Sequence, residues 1–361
     1  MSAGTRRGGF SLVELLVAMT LGLLLVGGAS TIFRANVRSS ELGQAIAHLQ
    51  ANARFALDEI SRNVRAAGYG GCASSDTTAF MVSTLGAPLS TSDPRETALA
   101  AARVGETDWL DRLPGYVPPV GRGVPVPGTD VLLVQYAEAP GELLLESLDT
   151  ASDGLQIAGV GSGLQENDLA LIADCTGADL LRVSQRTGGS AGGVVLQPDA
   201  TLSRTYEIGL HPLGVRVLPF SSAIYYIGDT GRRTRGGEII RSLYLQTFPY
   251  SQDTNPALEL AEGVDQMRLS FGVRDASGGV RFVREGDANY AADGVASVTV
   301  GLLMTSHEPL DDAAVPREFV LAGQQVLAAG AAANGDSAFY PDDRRLRVPF
   351  ERSVMIRNRG L

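Results

Sequence analysis

GGFSLVELLVAMTLGLLLVGGASTIF, residues 8–33, decides how the rest of the chain is read. From Phe10 to Phe33 it runs 24 residues with Glu14 as the only charge. As a helix that run spans about 36 Å, more than the roughly 30 Å hydrocarbon core of a bilayer. Arg6 and Arg7 precede it, so the positive-inside tendency keeps residues 1–9 in the cytoplasm and sends the rest outward. A carboxylate at the bilayer centre costs on the order of 2.5–3.5 kcal/mol on insertion scales, and such a residue ordinarily has a partner. A cleaved secretory signal, cut near Gly27-Gly28-Ala29, suits the small residues but neither the length nor the charge. A plain signal anchor suits the length and leaves Glu14 unexplained.

Gly8-Gly9-Phe10-Ser11-Leu12-Val13-Glu14 resembles the class III signal of type IV pilins and type II secretion pseudopilins. The resemblance implies that a membrane-embedded prepilin peptidase cuts between Gly9 and Phe10. It implies N-methylation of the new amino group on Phe10, with the apolar segment left in place. It also implies that Glu14, the fifth residue after the cut, faces the positive N-terminus of a neighbouring subunit. The physics agrees. An α-amine and a carboxylate are each costly alone in lipid or a dry filament core, and opposed across an interface they offset one another and fix register.

Beyond Arg34 the polarity changes but the helical period does not. Leu42, Ile46, Leu49, Ala53, Ala56, Ile60, Val64 and Ala67 form one apolar stripe at spacings of three and four, with charged and amide side chains between them. The stripe predicts a helix packed on its own globular domain, ending at Gly68. Phe10 to Ala67 would be about 87 Å long if continuous. The expected organisation is a leader at 1–9, a transmembrane and assembly half at 10–33 and an amphipathic half at 34–67. A loop-rich connection at 68–129 and a β-rich domain at 130–361 follow.

The chain contains no lysine, which excludes a Schiff-base lysine and a P-loop. Residues 1–67 hold 7 Arg against 4 acids, and residues 68–361 hold 23 Arg against 36 acids, matching the overall −10. A body at −13 repels nucleic-acid phosphates, so direct nucleic-acid binding is not expected. The Pro- and Gly-rich stretch 113–130 reads as extended loop. From Asp130 the chain reads as strands at 131–137, 169–175, 180–185, 193–197, 214–220, 222–228, 239–247, 264–275, 280–283, 296–306 and 345–356. Turn stretches such as GDTGRRTRGG (228–237) and DASGG (275–279) separate them. A long helix on a sheet of ten or so strands is an α+β, pilin-like architecture.

Cys72 and Cys175 are the only cysteines, so a single disulfide is the one pairing open to them. It would tie the end of the helix to a strand and close a loop of about 104 residues, worth up to ~4.7 kcal/mol in the chain-entropy model. An oxidising compartment beyond the inner membrane would permit it.

NDLALIADC (167–175), RVS (182–184), YYIG (225–228), SLY (242–244), LAEGVDQMRLSFGV (260–273) and RSVMIRNR (352–359) resemble PilW-type minor pilins of type IV pili. Major pilins carry a disulfide loop near the C-terminus, whereas both cysteines here lie in the first half of the chain. The resemblance implies a structural protein of a priming or tip complex, supporting pilus assembly, twitching motility, adhesion and DNA uptake. A minor pseudopilin of type II secretion shares the leader and helix and is the alternative. The implied partners are other minor pilins, the major pilin, the prepilin peptidase and the inner-membrane assembly platform. The implied location is the inner membrane, with a periplasmic domain, and then the pilus tip.

No catalytic constellation, metal site or cofactor is expected. GGSAG (188–192) matches G-x-S-x-G, but strand-like text follows it where a nucleophile elbow needs a helix, so it reads as a hairpin turn. Asp287, Asn289 and Asp293, with Glu285 nearby, lack the EF-hand pattern and read as a solvated turn. Arg344 to Arg359 holds six arginines at near-alternating spacing, expected to line the exposed face of the last strand. Trp109 is either core or a partner anchor.

Overall fold

A computed structural model describes residues 11–72, 79–82, 98–106, 109–113, 115–159, 163–189, 193–210, 212–250, 255–275, 278–284, 286–287, 290, 294–309, 317–331 and 337–357. One helix, α1 (Leu12–Ala66), precedes the strands. These are β1 (Ala79–Val82), β2 (Leu99–Arg103), β3 (Val124–Pro125), β4 (Asp130–Ala137), β5 (Glu142–Leu143), β6 (Leu155–Ile157), β7 (Leu169–Ala173), β8 (Gly177–Gly188), β9 (Val194–Pro198) and β10 (Arg216–Arg233). Then come β11 (Ile239–Thr247), β12 (Leu258–Glu262), β13 (Val264–Arg274), β14 (Val280–Val283), β15 (Val295–Pro309), β16 (Phe319–Leu321), β17 (Gln324–Ala328), β18 (Ala338–Tyr340) and β19 (Arg345–Met355). The chain divides into two compact units, Met1–Gln50 and Ala51–Leu361.

Between Leu12 and Phe33 the apolar side chains of α1 lie open on every side of the helix. Its hydroxyls are satisfied within the helix itself. Thr20 Oγ1 donates to Val17 O at 2.9 Å, and Thr31 Oγ1 donates to Gly28 O at 2.7 Å. Back-bonding of this kind removes the cost of an unpaired hydroxyl in an apolar medium.

In the second unit the helical stripe finds its core. Ala53, Ala56, Ile60, Val64 and Ala67 are fully buried, and three of these five are alanines that allow a close approach. Polar bonds fix the docking at several points. Asn52 Nδ2 donates to Glu262 O at 3.1 Å and Asn63 Nδ2 to the Tyr225 hydroxyl at 2.6 Å, while Arg352 pairs with Asp58. The helix stops where Gly68 takes φ +72° and its N–H reaches Gln135 O on β4 at 2.9 Å. That left-handed terminator suits glycine because it has no Cβ to clash.

β10 organises the sheets. Its first residues pair with β5 and β7, and its later ones pair with β4, β3 and β11. The sequence pattern predicts two strands in this stretch and a turn from Gly228 onward. The strand instead runs without a break through Ser221 and continues to Arg233, with a register shift between Asp229 and Arg233. A bulge of this kind lets a strand carry glycine and an unpaired residue without ending. The turn proper begins at Thr234, whose N–H donates to Glu238 O.

A second sheet has the order β14-β13-β15-β19, and β16-β17-β18 form a third. Gly301 on β15 is required by the third sheet, because a Cβ there would sit 3.0 Å from Leu321 Cβ. Short strands also occur where the sequence reads as loop, β2 being one. It pairs along its whole length with β4.

Two buried ionic clusters tie the second sheet together and to the first. Arg268 on β13 donates to Asp130 Oδ1 and to Gly128 O, both at 2.6 Å, and the Leu269 N–H donates to Asp130 Oδ2 at 3.0 Å. On β19, Arg345 Nε donates to Asp343 Oδ2 and Arg347 Nε to Asp265 Oδ2, each at 2.8 Å. The Arg347 guanidinium also lies 4.5 Å from the Tyr340 ring centroid.

This corrects the expectation for the C-terminal arginines. Arg344 and Arg357 are exposed as expected, but Arg345 and Arg347 are buried, and Arg359 lies outside the described residues. The buried carboxylates of Asp265 and Asp343 supply the reason. A buried carboxylate needs a paired cation, and β19 presents two.

Ile60→Ala should destabilise the folded chain by about 2–5 kcal/mol, as a core truncation that leaves a cavity. Asp130→Ala should cost about 3–5 kcal/mol, because it strands the buried Arg268. Urea denaturation of the detergent-solubilised full chain measures both. A change under about 0.5 kcal/mol in either would contradict the packing described.

Candidate functional site

The cleavage and methylation candidates, Gly9 and Phe10, lie outside the described residues. The description begins with the turn that holds Glu14. The Ser11 N–H donates to Glu14 Oε2 at 3.3 Å, and the Val13 N–H donates to Ser11 Oγ at 3.2 Å. The Leu15 N–H reaches Ser11 O at 3.1 Å, the first backbone bond of the helix. Ser11 and Glu14 thus form half of a capping box: the Glu14 carboxylate satisfies the Ser11 N–H, while Ser11 Oγ satisfies the N–H of Val13 rather than that of Glu14. The Ser-x-x-Glu spacing is visible in the sequence, but reading Glu14 only as an intersubunit group passes over it. The acidic group also sits where the positive end of the helix dipole favours it.

Around this turn the chain is overwhelmingly apolar. Eleven large side chains between Leu12 and Val26 are 51–75% exposed. Full burial of one such side chain contributes about 1.5–3 kcal/mol. Even half of that over eleven residues exceeds the ~2.5–3.5 kcal/mol cost of carrying one carboxylate into lipid. The helix is long and apolar enough to cross a membrane. One acid near its end does not prevent insertion, and the Ser11 N–H supplies Glu14 with a hydrogen bond within its own chain.

The second candidate is the cysteine pair. Cys72 follows the helix terminator by four residues, and Cys175 sits in the turn from β7 to β8. The two are bonded, with Cα atoms 4.9 Å apart, inside the usual disulfide range. The turn is built around Asp174. Its Oδ1 accepts the Thr176 N–H at 2.7 Å, the Thr176 hydroxyl at 2.7 Å and the Gly177 N–H at 2.8 Å, and its Oδ2 accepts Arg204 at 2.8 Å. Burial alone would raise the Asp174 pKa, but these donors together lower it below the usual aspartate value. Nearby Asp179 is fully buried and accepts the Ser203 N–H, the Ser203 hydroxyl and the Tyr206 hydroxyl.

The remaining candidates are described only in part. β8 and β9 pair antiparallel across Gly188 and Val194, and the Gly189 N–H donates to Gly193 O at 2.8 Å. GGSAG therefore connects two strands, although Ser190 itself lies outside the described residues. Of the acidic turn, Asp287 is described, while Glu285, Asn289 and Asp293 are not. Trp109 is partly buried and meets Tyr116 edge-on at 6.3 Å, so it packs with the aromatic core beside β4 and β10.

Comparison with known families bears on the N-terminal turn and on the second sheet. Residues 4–30 match the prokaryotic N-terminal methylation motif. Residues 224–358 match the family described as type IV pilus-assembly protein W. The chain carries a PilW-type region behind a prepilin-like signal. Neither the curated proteins nor the solved structures hold a significant match to it. The PilW-type region takes in most of β10, all of β11–β19 and the Asp265–Arg345–Arg347 cluster. It also contains Tyr225, Glu262 and Arg352, three of the groups that hold α1 in the second unit. Both cysteines fall outside the two matched segments.

Reduction with dithiothreitol, or Cys72→Ser, should lower the stability of the second unit by up to ~4.7 kcal/mol, the chain-entropy value for so long a loop. Asp174 adds a pH dependence. Its folded pKa lies below the unfolded one, so its contribution is present at neutral pH. That contribution is lost as pH falls from the unfolded value near 3.8 through the lower folded value. Thermal melts with and without reductant, and of Asp174→Asn across pH 2–7, measure both effects. Identical melts with and without reductant would contradict the disulfide.

Proposed function

We propose that this chain is a minor pilin: a non-enzymatic subunit that primes or caps a type IV pilus. The observation that carries the reading is the presence of a prepilin-like methylation motif and a PilW-type region on one chain. The subunit is held in the inner membrane by α1, with its β-rich unit in the periplasm. The prepilin peptidase cuts after Gly9 and the Phe10 amine is methylated. The apolar helix then leaves lipid for the filament, where the helices of other minor pilins and the major pilin replace the acyl chains.

Glu14 sets the register of that step. In the free subunit its carboxylate accepts from the Ser11 N–H of its own helix end. A neighbouring amine is a stronger, charge-assisted partner. An unpaired carboxylate in a dry filament core is costly, so the helix settles where that amine is within reach. Twitching, adhesion and DNA uptake would follow from the presence of filaments and need no catalytic group here. Type II secretion remains the second reading, because the methylation motif does not by itself distinguish the two systems.

Mass spectrometry of the mature protein should find an N-terminus at N-methylated Phe10. An intact Met1, or a start near Ser30, would contradict the reading. Deletion should abolish or sharply reduce surface pili while secretion of folded exoproteins continues. Lost secretion with normal piliation would favour the pseudopilin reading.

A further inference from the structure

Five large aliphatic side chains in the second unit lie open on neighbouring segments: Leu143 (48% exposed), Leu145 (43%), Ile208 (43%), Leu210 (62%) and Leu213 (59%). They come from two runs of sequence, ELLLESL (142–148) and EIGLHPLG (207–214). The backbone brings the runs together. Leu143 pairs with Arg216, and the Leu144 N–H donates to Val215 O at 2.9 Å. The Leu148 N–H donates to Tyr206 O at 3.0 Å, and the Ile208 N–H donates to Ser147 Oγ at 3.0 Å. Leu143 Cδ2 lies against Gly214, 3.1 Å from where a Cβ would stand.

The outward leucines are not a failure of core formation. Leu144 and Leu148 on the same run are buried, in a core with Leu155, Ile172, Leu196 and Val217. Leu143 and Leu145 flank Leu144 and point the other way. Scattered exposed leucines need no explanation, but a contiguous apolar group with a polar rim marks an interaction surface. The rim here is acidic, because Glu146, Asp149 and Glu207 are exposed within or beside the two runs. Among the described arginines of the neighbouring strands, Arg204 is paired with Asp174, while Arg216, opposite Leu143, donates to Pro140 O and keeps its charge, so the three exposed acids still outweigh it.

The charge selects among occupants. An anionic membrane surface is repelled by an acidic rim. A second copy docking symmetrically through this patch would bring glutamate against glutamate. A different protein with basic flanks meets neither obstacle. We propose that Leu143, Leu145, Ile208, Leu210 and Leu213 form a docking surface for another protein, whose contacting segment is aliphatic and flanked by arginine or lysine. The surface lies outside both family-matched segments. The proposal concerns the second unit alone and does not rest on the pilus reading.

The test places a photo-cross-linking residue at Leu210 of the full-length chain in its native cells, with the adduct mapped by peptide mass spectrometry. The expected adduct is a single partner protein, joined at a peptide holding leucine, isoleucine or valine within a few residues of arginine or lysine. Glu146→Arg with Glu207→Arg should reduce its yield at least tenfold at unchanged chain abundance, as should Leu213→Asp. If Leu213→Asp lowers abundance, the two exposed glutamates decide. No adduct, an adduct to lipid or to a second copy, a peptide without basic flanks, or a yield indifferent to the charge reversal each overturns the proposal. A basic-flanked partner from outside the pilus machinery supports the docking surface and counts against the pilus reading.

Discussion

One helix is asked to live in two solvents, and everything else in the protein follows from that demand. Between Leu12 and Val26 its side chains are apolar all the way round and uncovered. Between Ala53 and Ala67 the apolar stripe is fully buried, and Phe55 is the one large apolar side chain exposed outside it. The hydrophobic effect acts on both stretches at the same strength per unit area. The first stretch finds no cover in its own unit and needs lipid or other helices, while the second has a sheet to cover it. A subunit built this way can be held in a membrane, withdrawn and stacked without refolding its β-rich unit.

The β-rich unit is held by a few expensive choices. Arg268, Arg345 and Arg347 are buried with Asp130, Asp265 and Asp343 as partners. Pairs of this kind add little net stability against a well-packed apolar alternative, but losing one member is costly. They link β13 to β19 across β15, and β13 to β4. The helix is pinned in the same unit by Asn52, Asn63 and the Asp58–Arg352 pair. The disulfide from Cys72 to Cys175 adds a covalent tie just past the helix end.

Much of this is legible in the sequence, for physical reasons. A stripe spaced by threes and fours gives one apolar face, and from Ala53 to Ala67 that face is in the core, whereas Leu42 at its start is exposed. β11 and β14 match their sequence runs end to end, because turn residues bound them on both sides. β10 does not divide where expected. The polar Ser221 and the turn text from Gly228 look like breaks, yet an interior strand tolerates them where its pairing partner changes or a bulge follows. β2 and the short strands β16–β18 carry too few residues to show a period. The C-terminal arginines defeat the pattern because alternation in one strand says which side chains share a face, not which face is buried. That depends on Asp265, far away in sequence. In the candidate site, Glu14 stands out as a lone charge, whereas its bond to the Ser11 N–H needs the local geometry to be seen.

The central claim is that Glu14 exists to be paired between subunits, and filament incorporation tests it most directly. Cells producing Glu14→Ala would be sheared, and the chain quantified in the filament fraction and in the membrane. The account predicts normal membrane abundance and normal cleavage after Gly9, with the filament-associated chain reduced at least tenfold against wild type. Wild-type amounts of the cleaved variant in filaments would contradict it.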